Sequence, residues 1–393
     1  MLNTVKNIKE KNLKVLLRAD LNLPLHEGKI LDYTRLDALK PTINYLLNQN
    51  QKIAICSHLG RPKGEKNLKL SLKILIPFLE KRLGVKVKFF EDILSENLDN
   101  ELMLLQQNEI ILLENIRFYK EEKENSNEFA QKISSQFDIF VNDAFGVSHR
   151  SHASNVAVAQ LLPSYAGLLM ENEIKNLEKI RIGTASKTPL TLIVGGAKMK
   201  TKTPVIKEYL DHAKNILIGG ALANTFLKAQ NIDVGKSLFE KEEIKEAKKI
   251  LDLAKMSKTK IILPVDFVTQ NTETKEILNK TIQEIKSQDC IYDIGGNTIE
   301  VYDKIIKKSK TIIFNGPLGL YVEKEFEKGT KEIFKSIKDS KAESFLGGGD
   351  TVDALHDYNF EFSDFTHVST GGGAMLTYLE GKKLPAVQVL LKK

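Results

Sequence analysis

One recurrence limits this chain more than any other feature. Runs of Val, Ile and Leu about 4–6 residues long occur at 14–18, 52–57, 85–90, 110–114 and 137–142. They return at 191–195, 215–219, 260–264, 290–294, 311–315, 344–347 and 366–369. None alternates apolar with polar, which is the pattern of strands buried on both faces of a parallel sheet. Between them lie longer Lys/Glu-rich stretches with helical spacing, such as 35–48, 72–83 and 241–255. Strand, helix, strand repeated this way specifies an α/β protein whose parallel sheets are covered by helices. At 393 residues the chain has room for two such domains. The expected boundaries are 1–168 for the first and 169–376 for the second, with the segment 377–393 returning to the first. A helical stretch, 169–180, opens the second domain, and a polar linker at 183–187 comes after it.

The two halves differ in the residues that lie just past their strands. First-half strands run out into Arg18, Asp20, Asn22, His58, Arg61, Asn115, Arg117, Asn142 and Asp143. Second-half strands run out into glycines at 195–196, 219–220, 295–296, 316, 347–349 and 371–373. In open α/β sheets, ligands bind outside the carboxyl ends of the strands. One half therefore offers Arg, His and Asn side chains to a small polyanion. The other offers bare backbone and helix N-termini, suited to a polyphosphate. Two such sites in one chain point to a transfer enzyme with two substrates and a cleft between its domains.

The arginines sharpen this. There are seven of them, all before position 182, and the other 51 of the 58 basic residues are lysine. Only Arg presents a planar fork to carboxylate or phosphate, so each asks for a reason in a chain so biased toward Lys. Arg82 and Arg181 read as solvated surface. Arg35 opens a helix, where the dipole disfavours a cation, so a functional role fits it better. His58 and Arg61 flank a tight turn in SHLGRPKG, and Arg150 lies between His149 and His152. Those two histidines lack a nearby third ligand for zinc. In LIVGGAKMKTK, Lys198 and Lys202 are spaced i, i+4 on an opening helix turn, a repulsive pair unless an anion sits between them. GGGDT places Asp350 where it could hold a hard cation and Thr351 where it could donate to phosphate. The runs 120–123 and 304–310 read as solvated surface.

Taken in order, RADLNLP, SHLGRPKG, LLENIRF, VNDAFGVSHRSHAS, VGGAKMKTK, NGPLG, GGGDT and STGGGA resemble the phosphoglycerate kinase family, from about residue 13 to 390. The resemblance implies two Rossmann-like domains joined by a hinge, ATP or ADP with Mg²⁺, and reversible phosphoryl transfer between 1,3-bisphosphoglycerate and ADP in glycolysis. It assigns 3-phosphoglycerate to Asp20, Asn22, Arg35, His58, Arg61, Arg117 and Arg150, with Arg18 orienting its neighbours. It assigns the nucleotide to Lys198, Lys202, Asn315, Glu323, Gly348, Gly349, Asp350 and Thr351, with Asp350 toward Mg²⁺. Arg35, Lys198 and the amides of Gly371, Gly372 and Gly373 would surround the moving phosphoryl. The family's Trp before NGP is Phe314 here, and its Trp-x-Gly-x-Asp-Ile-Gly-Pro stretch is CIYDIGGN, with Ile291 and Gly296. Its Gly-Gly-Gly-Met stretch has Ala221 as the third residue. All of these fall near the expected adenine and ribose pocket.

Composition excludes other classes. Two cysteines, Cys56 and Cys290, cannot make a disulfide framework or a Cys-based zinc site. The first residues lack a signal-peptide core, and no run of about 18 apolar residues occurs. The expectation is a cytoplasmic monomer with small-molecule substrates and no membrane partner. The net charge of +7 is spread along the chain without aromatics clustered beside it, which argues against nucleic acid. The rival readings are a non-catalytic anion- or RNA-binding protein on the same fold and a kinase for another small carboxylate.

Overall fold

The computed structural model describes residues 1–182 and 187–392. Apart from Lys187, the linker expected at 183–187 lies outside the described residues, as does Lys393 at the end of the C-terminal segment. The chain divides into two compact units, Met1–Lys175 with Lys383–Lys393, and Asn176–Lys382. Both boundaries fall later than 168 and 376, for local reasons. The helix Leu168–Glu178 is anchored at its start within the first unit, where Leu168 N–H donates to Thr42 Oγ1 at 2.9 Å and Met170 N–H to Asp143 Oδ1 at 3.0 Å. The helix Gly372–Leu379 is packed within the second, because Gly372 lies against the backbone of Gly348. In the first unit Asn3 N–H donates to Leu390 O and Lys392 N–H to Met1 O, so the two chain ends run together.

Among the described residues, eight strands belong to the first unit: β1 (Lys14–Arg18), β2 (Leu25–His26), β3 (Lys29–Ile30), β4 (Lys52–Cys56), β5 (Lys86–Phe90), β6 (Glu109–Leu113), β7 (Ile139–Asn142) and β8 (Ser164–Ala166). Six form a parallel sheet in the order β5-β6-β4-β1-β7-β8, and β2 with β3 makes a small hairpin. The period-2 geometry of a strand sorts its side chains into two layers. Val15, Leu17, Ile53, Ile55, Ile110 and Leu112 face one way, onto Leu36, Leu39 and Ile43 of the helix Thr34–Asn48 and Leu79 of Ile76–Leu83. Leu16, Ala54, Ile111, Leu113 and Phe140 face the other, onto Leu98, Leu102, Phe129 and Ile133. Each such buried Leu or Ile contributes roughly 2 kcal/mol, so the strand ends are held on a rigid platform.

The second unit holds β9 (Leu190–Val194), β10 (Asn215–Ile218), β11 (Lys260–Ile262), β12 (Asp266–Asn271), β13 (Ile277–Thr281), β14 (Asp289–Ile294), β15 (Thr311–Asn315), β16 (Glu343–Gly347) and β17 (His367–Ser369). Its parallel sheet runs β11-β10-β9-β15-β16-β17. The run at 290–294, expected in that sheet, instead pairs antiparallel with β12 in a separate sheet, β13-β12-β14. The physical reason lies in its carboxylates. Asp289 accepts from Lys280 Nζ at 2.7 Å and Asp293 from the N–H of Gly329 at 2.6 Å, partners that the middle of a parallel sheet does not supply.

Candidate active site

In the first unit the carboxyl ends of β1, β4, β6 and β7 carry the forks. Ser57, just past β4, bridges two of these ends, its Oγ accepting from Leu21 N–H at 2.9 Å and donating to Ala19 O at 2.7 Å. Asn22 Oδ1 accepts from Gly60 N–H at 2.8 Å, and Arg117 Nη1 donates to Gly60 O at 2.9 Å, so the peptide units flanking Gly60 are pinned from both sides. Gly60 has φ +63, and a Cβ there would stand 2.8 Å from the Leu70 side chain, which explains glycine at this turn. Arg35 reaches back from the start of its helix to Asn22 O, and its Nε lies 3.7 Å from Asp20 Oδ2. The charge that was out of place for the helix dipole is thus turned toward the strand ends.

His58 is buried at the centre. Arg18 Nη2 stands 3.2 Å from its Nδ1. Burial, and then the charges of Arg18, Arg117, Arg35 and Arg150, hold the imidazole well below its ordinary pKa. It is therefore neutral, and because a guanidinium can only donate, the proton sits on Nε2. Arg117 is also buried, and its Nε has no acceptor among the described residues. Burial, reinforced by Arg18 and Arg150, pushes its pKa down to about 10. Arg150 Nε lies 3.2 Å from His149 Nε2. Arg61 is exposed and has no ionic or hydrogen-bonding partner among the described residues. Four guanidinium groups act on His58, and Arg61 stands outside that set.

In the second unit the glycines do something different from what their positions suggest. A Cβ on Gly195 would lie 2.1 Å from Pro317 O, and one on Gly220 2.8 Å from Gly196 N. Gly196 N–H donates to Pro317 O and Gly220 N–H to Leu318 O, both at 2.7 Å. These glycines let the loops after β9, β10 and β15 pack backbone on backbone. The packed loops floor a cavity of about 290 Å³ lined by Gly196, Ala221, Ile291, Tyr292, Leu320 and Asp350, among others. Of the departures from the family pattern, Ile291 and Ala221 line this cavity. Phe314 does not: it is fully buried, its ring 5.0 Å from that of Phe334 in the core.

At the carboxyl end of β15, Lys202 donates to Asn315 Oδ1, while Asn315 Nδ2 donates to Gly347 O at 2.7 Å. Burial pushes Lys202 down to about 8, opposed by the charge of Asp350. Thr351 is buried, its Oγ1 accepting from Gly316 N–H at 2.9 Å. Gly349 and Asp350 open the helix Gly349–Asp357 and are exposed, and Gly348 next to them has φ +115. The N-terminus of the helix Gly372–Leu379 meets this one at Gly348. Of the three amides expected there, Gly371 N–H is already given to Ser369 Oγ at 3.2 Å, which leaves Gly372 and Gly373. Lys198 and Lys202 do not share a helix turn. Lys198 is extended, Met199 N–H donates to Glu240 Oε2 at 2.6 Å, and Pro204 makes the helix begin only at Thr203. Lys198 and Glu323 are exposed.

A family model described as phosphoglycerate kinase matches residues 5–382. The chain belongs to the phosphoglycerate kinase family. It is 44% identical over 391 residues to phosphoglycerate kinase of Finegoldia magna, covering 98% of each chain. It is 42% identical over 398 residues to that of Borrelia garinii, covering 99% of this chain and 100% of the relative. Among solved structures, phosphoglycerate kinase from Coxiella burnetii superimposes with a TM-score of 0.87 at 36% identity over 99% of both chains. That from Pyrococcus horikoshii does so at 0.87 and 33%, over 99% of this chain and 98% of its own.

Within this phosphoglycerate kinase fold, some supporting residues escape a reading of motifs. Glu122 belongs to the run at 120–123 that reads as solvated, yet it is fully buried, and Ser154 donates to it from both N–H and Oγ at 2.8 Å. Asp293 is equally hidden from motif reading; burial pushes its pKa up to about 7 while it accepts the N–H groups of Gly329 and Ile294. Only a buried partner distinguishes such residues from surface charge, and sequence does not display partners.

Proposed function

We propose that the chain transfers a phosphoryl group reversibly between 1,3-bisphosphoglycerate and ADP, giving 3-phosphoglycerate and ATP, as a cytoplasmic monomer. The observation that carries the reading is the unbalanced charge around His58, where Arg18, Arg35, Arg117 and Arg150 converge and Arg117 keeps a buried donor without an acceptor. Asp20, Asn22, Arg35, His58, Arg61, Arg117 and Arg150 bind the phosphoglycerate in this reading. His58 Nε2–H and the guanidinium forks donate to its carboxylate and phosphate. Lys198, Lys202, Asn315, Glu323, Gly348, Gly349, Asp350 and Thr351 serve the nucleotide. For Asn315 and Thr351 the contribution is to hold Lys202 and the loop at Gly316 rather than to meet the ligand from open space.

The chemistry asks little covalent work of the protein. The terminal oxygen of ADP is already ionised near neutral pH, so no general base is needed, and a metaphosphate-like transition state is served by positioning and charge. Arg35, Lys198 and the amides of Gly372 and Gly373 supply that charge, with Gly371 bracing the turn. Asp350 is one exposed carboxylate, and no group of three His, Cys, Asp or Glu among the described residues could cage an ion. That donor set fits Mg²⁺ carried on the nucleotide phosphates, where the bound ion neutralises phosphate charge. Excluding water during transfer protects the acyl phosphate from hydrolysis.

A coupled assay with ATP, Mg²⁺ and 3-phosphoglycerate tests the reading, and turnover is the expected result. Well-folded protein without turnover would return the chain to the class of anion- or RNA-binding proteins, and turnover of only another acid would make it a kinase for a different carboxylate.

A further inference from the structure

The substrate roles above leave the buried Glu122 of the first unit unused. Glu122 is fully buried, as are Arg18 and Ser154, and the three form a line that ends on His58. Arg18 Nε donates to Ser154 Oγ at 2.8 Å, Nη1 donates to Ala19 O, and Nη2 meets His58 Nδ1 at 3.2 Å. Having accepted from Arg18, Ser154 Oγ gives its own proton to Glu122 Oε1 at 2.8 Å, and Ser154 N–H donates to Oε2 at 2.8 Å. Between the guanidinium and the carboxylate every hydrogen therefore points toward Glu122, while Arg18 Nη2 points the other way, at His58.

We propose that Glu122 is a positioning residue for substrate recognition: through Ser154 it orients Arg18, and Arg18 fixes the His58 ring as the Nε2–H tautomer that donates to the bound acid. The proposal rests on the reading of the first unit as the phosphoglycerate site. Its logic is one of donors and acceptors. Arg18 carries five N–H groups and no acceptor, so the ring nitrogen facing it must keep its lone pair. An Arg18 left free to turn could swing away from His58, and the ring could then flip and present an acceptor to an anion. Burial works against ionising Glu122, but His152, whose Nδ1 is 3.5 Å away, the charge of Arg18 and the two bonds from Ser154 outweigh it and hold the carboxyl below its ordinary range. The short helix Glu121–Glu124 thus carries the counter-charge of a buried guanidinium.

Nitrogen NMR of histidine-labelled protein reads the tautomer directly. In the unaltered enzyme His58 should be neutral with its proton on Nε2. A proton on Nδ1, or on both nitrogens, would overturn the proposal without any variant. Glu122→Gln places an amide donor against one of Ser154's two donors and reverses the line at its end. It should raise KM for 3-phosphoglycerate about tenfold, the factor carried by one charge-assisted hydrogen bond, and leave KM for ATP within about twofold. Ser154→Ala should act in the same direction and Ser154→Thr, which keeps the hydroxyl, should recover most of the loss. Equal rises in both KM values, or a Thr variant no better than Ala, would reduce Glu122 to a scaffold residue. If Glu122→Gln does not fold, the unaltered tautomer and the Ser154 pair still decide. A protein inactive on 3-phosphoglycerate whose His58 nonetheless shows the Nε2–H form would sink the functional reading and leave the line of bonds intact.

Discussion

In the first unit the strand ends carry polar side chains that are themselves held by polar groups of the protein: Arg18 by the buried Ser154, Arg117 and Asn22 by the backbone of Gly60. In the second unit the corresponding strand ends carry almost no side chains, and Gly195, Gly220 and Gly316 bring three loops into backbone contact. Both arrangements suit an anion. One does so with forks whose geometry is specific to a small acid, the other with amides and helix N-termini that fit any phosphate chain. The difference teaches where each is fragile. A wall of side chains fails when atoms are removed, and a wall of touching backbones fails when atoms are added.

The largest expected effect comes from removal. Arg35 spans Asp20 and Asn22 O with a planar fork. Arg35→Lys keeps the charge and loses the fork, so kcat/KM for 3-phosphoglycerate should fall about a hundredfold while ATP binding holds. Near-normal turnover would remove Arg35 from the mechanism and weaken the contrast between the units. Addition is tested by Gly195→Ala, whose new Cβ meets Pro317 O and Gly316 O. The second unit should lose about 2 kcal/mol in urea unfolding, with affinity for ATP falling as the cavity floor shifts. A variant as stable as the parent would show that the loops have slack.

Much of this was legible because the same physics writes both sequence and fold. Strands such as Lys14–Arg18 and Leu190–Val194 are buried on both faces, so they appear as unbroken apolar runs. The forks stood out because Arg is rare in a Lys-rich chain. The antiparallel strands Asp266–Asn271 and Ile277–Thr281 did not stand out, since they are partly exposed and rich in Thr, Asn and Gln. Glu122 was hidden among charged neighbours, and Gly195 and Gly220 looked like ligand-facing glycines because sequence cannot say which other loop they touch. What was missed depends on long-range partners, and what was found depends on local pattern.

The effects smallest for turnover come from two buried aspartates, one in each unit, and sharpen the comparison through stability. Burial pushes Asp143 up to about 7 and does the same to Asp293. A carboxyl whose folded pKa lies above its unfolded value near 3.8 holds its proton more tightly when folded. Its contribution to stability is therefore full below 3.8 and lost as pH rises through about 7. The surroundings differ, however. Both oxygens of Asp293 accept backbone N–H groups, whereas Asp143 Oδ1 accepts from Met170 and its Oδ2 has no partner among the described residues. Asp293→Asn must set an amide N–H against a backbone N–H and should cost about 2 kcal/mol at the acid end of the window, where the parent carboxyl is protonated. Asp143→Asn mimics the protonated acid, with its amide where Oδ2 lay. It should match the parent at the acid end of the window, flatten the fall in unfolding free energy by up to about 1.4 kcal/mol per pH unit, and so leave the variant more stable than the parent near neutral pH. Urea unfolding of both variants across that window checks the pair. Equal losses at the two positions would mean that an added amide N–H is as badly placed at Asp143 as at Asp293, and the contrast drawn from Oδ2 would fail.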